Sequence, residues 1–230
     1  MKKLLPILAM TAVLVFSVGL VSAAEVGGAN TTNWADNGAM AVPTAEDEDV
    51  TAGHVYYGDL NTTQNTLRWA GIYGDTSGQL VLRDSNDDTF FQWAGVDGLY
   101  VYASEEANVD FTTVTAADEN DQDAFIGTDN AADNFTETFN ESGVGFDSYA
   151  VGTLAAGAVQ HTTELGAATG WYTFALADTG GNPLWAATVT AEQLSYDGAT
   201  NAEYQLLIPE DETGGGAGGA TTYYFYLELV

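Results

Sequence analysis

The chain has 230 residues, a formal net charge of −29 and 46% hydrophobic side chains, with 5 Trp, 12 Tyr and 10 Phe but no cysteine. Disulfides, thiol nucleophiles and thiolate metal sites are excluded, and His54 and His161 are too few for a multi-histidine metal site. Four Lys and Arg against 33 Asp and Glu cannot form a basic patch, which argues against nucleic acid or an anionic membrane as a partner.

The chain opens with a short basic stretch, Met1, Lys2 and Lys3, and then an apolar run over 4–20. Small residues follow at Ser22, Ala23 and Ala24, the pattern that a signal peptidase reads. Residues 1–24 are therefore expected to be a secretory signal peptide, and the mature protein to be secreted, extracellular or cell-surface associated. The competing reading is a retained membrane anchor. No later segment approaches the ~20 apolar residues that a spanning helix needs, so no membrane span is expected in the mature chain. Lys2 and Lys3 leave with the signal, so Arg68 and Arg83 alone face 33 acids. With a Debye length of about 8 Å at ordinary ionic strength, such a surface repels itself; at molar salt the length falls to about 3 Å and the repulsion fades. The composition thus points to a protein of brine, and its apolar and aromatic content argues against disorder.

Residues 25–49 are poor in periodicity and close on the acidic run Glu46, Asp47, Glu48 and Asp49. They are expected to form a flexible acidic N-terminal segment, with Trp34 docking on the body. A single β domain is expected over 50–230, with a first strand around His54, Val55, Tyr56 and Tyr57. Residues 67–103 hold the densest aromatic alternation. Leu67, Trp69, Gly71 and Tyr73 share one face of an extended chain, and Arg68, Ala70 and Ile72 the other. Turn clusters at 75–78, 84–88 and 95–98 divide the stretch into four or five short strands. It is expected to be the sheet on which the rest leans.

Residues 105–142 are the least β-like. One short helix is expected over 114–126 with Thr115 as N-cap, followed by an acidic loop over 129–142. Strands resume at 146–153, 158–165 and 171–177, and the turn 178–183 predicts a hairpin with 184–191. A further strand over 203–208 is ended by Pro209. The glycine-rich linker 214–220 precedes a terminal strand over 222–230. Tyr223, Phe225, Leu227 and Leu229 form one face of that strand; Tyr224, Tyr226 and Glu228 form the other. Turn signals at such spacing predict an all-β fold, an antiparallel β-sandwich of immunoglobulin-like or jelly-roll-like kind with about ten strands and room for one short helix. The echo of Arg68, Trp69, Ala70 and Gly71 in Gln92, Trp93, Ala94 and Gly95 is too short to be a repeat.

Few residues suggest chemistry. Asp84, Asn86 and Asp88 place oxygens at alternate positions, as calcium loops do, but without the central Gly and distant Glu of an EF-hand. A solvated hairpin turn is the competing reading, and Asp118, Asn120, Asp121 and Asp123 form a similar cluster. Ca2+ is thus the one cofactor to weigh. Paired carboxylates of the glycosidase kind have no specificity among 33 acids. His161 lies near Thr162, Thr163 and Glu164, but no Gly-x-Ser-x-Gly elbow exists, so no enzyme is expected. Asn30, Asn61, Asn134 and Asn140 head N-glycosylation sequons in expected loops, which makes N-glycans expected adducts. The terminal strand either pairs within its own sheet or, through Tyr223, Phe225, Leu227 and Leu229, enters a neighbour's sheet by strand exchange.

The pattern Trp69-Ala70-Gly71, Tyr73-Gly74, Ser77-Gly78, Leu80-Val81-Leu82, Phe90-Phe91 and Trp93, with the ending over 204–229, resembles uncharacterised secreted archaeal surface proteins. The resemblance covers about a third of the chain and implies a surface location and a β-rich fold, with no function or site residues attached. The expected role is a non-enzymatic structural or adhesion protein of a halophilic archaeal surface, partnered with itself or with other surface proteins. A filament subunit assembled by strand exchange and a carbohydrate- or calcium-binding module are the alternatives.

Overall fold

A computed structural model describes residues 25–41, 44, 48–66, 68–117, 132–140, 145–148, 152–155, 157–161, 171–178, 180–209 and 220–230. The described chain is almost entirely β and antiparallel, with one short helix, and the architecture is a β-sandwich. Its strands are β1 (Glu25–Gly28), β2 (Trp69–Gly74), β3 (Val81–Arg83), β4 (Thr89–Gln92), β5 (Gly98–Ser104), β6 (Thr115–Ala116), β7 (Gly145–Ser148) and β8 (Gly152–Ala155). They continue with β9 (Gly157–His161), β10 (Trp171–Ala177), β11 (Pro183–Thr188), β12 (Gln193–Leu194), β13 (Asn201–Ala202), β14 (Tyr204–Pro209) and β15 (Tyr224–Leu229). The helix is α1 (Phe135–Thr138).

The main sheet runs β1-β15-β5-β11-β10-β6. β9 also pairs with β10, opposite Trp171 to Ala175, and β6 continues the same side opposite Leu176 and Ala177. The centre, β5-β11-β10, is buried on both faces, which is why its segments read as nearly unbroken apolar runs. Alternation then assigns the sides. Tyr100, Tyr102, Phe174, Leu176, Leu184 and Ala186 pack on one face, under Phe146 of β7 and Val114. Ala103, Ala175, Trp185 and Ala187 pack on the other, against Leu206 and Ile208 of β14 and Phe135 and Phe139 of the helical turn. The β14–β2 ladder, registered from Tyr204↔Gly74 to Pro209↔Trp69, is the second layer.

The hairpin expected at 178–183 is present. Ala177 pairs with Pro183, and the Asp178 carboxylate accepts from the backbone N–H of Gly180 (2.7 Å) and Asn182 (3.0 Å). Gly181 takes the positive φ of +80° that this turn requires.

Five expectations are corrected. Residues 67–103 do not form one sheet: β2 lies in the second layer, β5 in the main sheet, and β3 and β4 pair, among the described residues, only with each other. Alternation tells which side chains share a face, not which sheet receives it. Residues 50–60 form no strand, because no ladder partner lies alongside among the described residues and Gly53, Gly58 and Asp59 interrupt the run; Val55 and Leu60 are fully exposed. The N-terminus of the expected helix is instead β6, with Thr115 opposite Ala177 and Ala116 opposite Leu176; residues 118–126 lie outside the described residues. The helix that does form, α1, sits in the expected acidic loop. Asn134 caps it by accepting from the Glu137 N–H (2.7 Å), and Phe135 and Phe139, four apart, turn one apolar face to Trp185. The start of the N-terminal segment is also more ordered than expected, since Glu25–Gly28 pairs with β15. Beyond it the described residues are exposed, although Trp34 stacks at 5.6 Å on Phe225.

Candidate functional site

The β3–β4 hairpin is the part of the molecule that burial does not explain. Val81 pairs with Gln92 and Leu82 with Phe91; the register then shifts so that Arg83 opposes Thr89. The Trp93 N–H continues the ladder to the Leu80 carbonyl (3.0 Å). Leu82 and Phe91 share one face, and Trp93 meets Phe91 edge-on at 5.0 Å. Phe90 lies on the opposite face and is 83% exposed. Leu82, Phe91 and Trp93 are about half exposed, so apolar side chains project from both sides of a ribbon that no other strand joins among the described residues. Large apolar patches left open on a folded body mark interaction surfaces more often than accidents.

The loop that closes this hairpin contains Asp84, Asn86 and Asp88. One Asp84 carboxylate oxygen accepts from the backbone N–H groups of Asn86 (2.9 Å) and Asp88 (3.0 Å), while the other lies 3.4 Å from the Asn86 amide nitrogen. Those backbone hydrogen bonds, from Asp88 first and Asn86 next, hold the Asp84 carboxyl below its ordinary value. Asp87 adopts a positive φ of +65°, as Asp tolerates in tight loops. The three residues are therefore arranged as a side-chain-stapled turn, with Asp84 turned toward the loop's own donors. Among the described residues no three His, Asp or Glu side chains converge as metal ligands. The cluster at 118–123 lies outside the described residues.

The two arginines have different fates. Arg68 pairs with Asp133 at 2.6 Å, and Asp133 also accepts from the Thr66 hydroxyl (2.7 Å), while its backbone carbonyl accepts from the Trp69 indole N–H (2.7 Å). Burial of Asp133 works to raise its pKa, but the hydrogen bonds from Thr66 and Arg68 outweigh it and hold the carboxyl below its usual range. This knot ties the start of β2 to the turn that leads into α1. Arg83 stands in the exposed hairpin, where its Nε donates to Thr89 Oγ1 (2.9 Å), and among the described residues it has no carboxylate partner.

The sequons divide as well. Asn30 and Asn61 are exposed, and Asn140 is exposed with its amide donating to the Glu137 carbonyl (3.0 Å). Asn134 is buried and used as the α1 cap. His161 ends β9 opposite Trp171, and Thr162, Thr163 and Glu164 lie outside the described residues.

At the C-terminus, β15 lies between β1 and β5 of its own chain. Tyr223 donates its hydroxyl to the Pro209 carbonyl (2.8 Å), and Phe225, Leu227 and Leu229 are half-buried. The other face goes deeper. Tyr226 is buried, and Glu228 is fully buried with its carboxylate accepting from the Tyr102 hydroxyl. Sequence reasoning passed over Glu228; the signal was a carboxylate in register with Tyr224 and Tyr226 in an otherwise apolar strand.

Comparison with protein-family models, with curated proteins and with solved structures finds no match to this chain.

Proposed function

We propose that this is a non-enzymatic structural or adhesion protein of the surface of a halophilic archaeal cell. The observation that carries the reading is the exposed aromatic hairpin β3–β4, which contributes no residue to either core cluster of the strongly anionic β-sandwich among the described residues. A body of this kind presents a contact surface and keeps its shape while the solvent screens its charge.

The use made of the acids supports the same role. Asp36, Asp84, Asp110, Asp178 and Asp197 each accept a backbone N–H two residues ahead, in the manner of Asx turns. Carboxylates so engaged fold loops and coat the surface. The leader-like residues 1–24 and the exposed Asn30 and Asn61 support an extracellular address and attached glycans.

The test is immunogold electron microscopy of the producing cells, combined with N-terminal sequencing of the recovered protein. Gold at the cell periphery and a chain starting near Glu25 are expected. Recovery from cytosol with residues 1–24 intact would sink the reading.

A further inference from the structure

We propose that the β3–β4 hairpin of one copy receives the 54–60 segment of a second copy, so that the protein associates with itself head to tail. The inference rests on the surface role above and names the partner that the hairpin holds.

Three observations converge on that occupant. The donor segment takes part in no strand among the described residues and exposes apolar side chains: Val55 is 99%, Tyr57 89% and Leu60 100% exposed. The acceptor is a two-stranded ribbon whose strands, among the described residues, pair only with each other, so both outer edges offer backbone N–H and C=O groups there, flanked by Phe90, Phe91 and Trp93. An open edge is a template for another strand, with main-chain hydrogen bonds giving affinity and alternate side chains giving specificity. The third observation is charge. Two copies of so acidic a chain repel each other over most of their surfaces, yet the hairpin carries Arg83, which has no carboxylate partner among the described residues. The donor segment carries Asp59, hydrogen-bonded only to the neighbouring Tyr57 hydroxyl (2.7 Å) among the bonds found there. Arg83 facing Asp59 is where the like-charge rule is reversed.

Within one copy, donor and acceptor are both exposed, so neither covers the other. Because they are different surfaces, the contact is heterologous and adds copies in a row. A strand of about six residues buries much less than the roughly 1,200–2,000 Å² of a stable interface, so each junction is weak and concentration-dependent. Molar salt, with its screening length of about 3 Å, removes the long-range repulsion while leaving contact pairing and apolar burial in place.

The mature chain supplies its own clean test, since it lacks cysteine. Val55→Cys and Phe90→Cys are introduced together and the protein is oxidised in molar NaCl. A ladder of disulfide-linked dimers, trimers and higher species is expected. Only intramolecular disulfide, or none beyond that of either single variant, overturns the proposal. Sedimentation of the cysteine-free protein should show association that rises with concentration, is lost in Arg83→Glu, and is recovered on combining Arg83→Glu with Asp59→Arg. A monomer at every concentration, or association indifferent to both changes, also overturns it. Should Arg83→Glu disturb the hairpin, the disulfide ladder decides alone. A monomer that still labels the cell periphery would sink this contact and leave the surface role standing; a head-to-tail oligomer recovered from cytosol would do the reverse.

Discussion

Trp185 shows what a single side chain contributes here. It is buried under Phe135, Phe139 and Trp69, at centroid distances of 6.1, 5.3 and 6.0 Å, and is the place where the main sheet, the second layer and α1 meet. Its indole N–H is buried and finds no acceptor among the described residues. Trp185→Ala should therefore cost about 3–5 kcal/mol by cavity formation. Trp185→Phe should cost clearly less, because it also removes an unpaired donor whose burial costs about 1–3 kcal/mol. Urea denaturation of both variants checks the order, and equal losses would refute this account of the site. Asn134 supplies a second case. As the α1 cap it is worth about 1 kcal/mol, so Asn134→Ala should lower the urea midpoint by a corresponding amount. Its buried amide is also a poor glycan acceptor. Glycopeptide mass spectrometry of the native protein should find sugar at Asn30 or Asn61 and none at Asn134.

Two strands of similar aromatic richness play opposite parts. β15 is hydrogen-bonded on both edges and contributes Tyr226 and Glu228 to the buried interior, whereas among the described residues β3 and β4 belong to no core cluster. Removing residues 222–230 should abolish cooperative unfolding, as seen by near-ultraviolet circular dichroism. Replacing residues 79–93 by a short glycine linker should leave the transition almost unmoved. The reverse outcome would mean that the hairpin, and not β15, belongs to the core. The β10–β11 hairpin carries a pH dependence. Burial acts to raise the Asp178 pKa, but hydrogen bonds from Asn182 and from the backbone of Gly180 and Gly181 hold it below the ordinary carboxylate value. The ionised form is thus favoured by folding. Its contribution is complete above the unfolded pKa of about 3.9 and is lost as pH falls through the lower folded value. Urea midpoints should fall between roughly pH 5 and pH 3, and less steeply in Asp178→Asn, which lacks the titrating group.

Charge acts on the molecule as a whole. With Arg68 committed to Asp133, Arg83 is the one other arginine set against the acids, and the field is overwhelmingly negative with little internal compensation. Dilution from molar NaCl to about 0.1 M lengthens the screening distance from about 3 to about 10 Å, so neighbouring carboxylates begin to repel across loops. The melting temperature should drop on dilution, and sucrose at the same low ionic strength should not restore it. A melting temperature independent of salt would remove the basis for a brine environment.

Much of this was legible from residue order alone. The all-β class, the 171–177 strand and the 178–183 turn follow from alternation and turn chemistry, both of which act within a few residues. The anionic coat and the absence of cysteine chemistry are matters of counting. Tertiary structure decided what local rules leave free. Among the described residues it left 50–60 without a ladder partner, drew Glu25–Gly28 onto β15, buried Glu228 beside Tyr102, and capped a helix with Asn134 where a loop was expected. Alternation says that Phe91 and Trp93 share a side of a strand; whether another layer lies over that side depends on chain distant in sequence, and among the described residues both stay about half exposed.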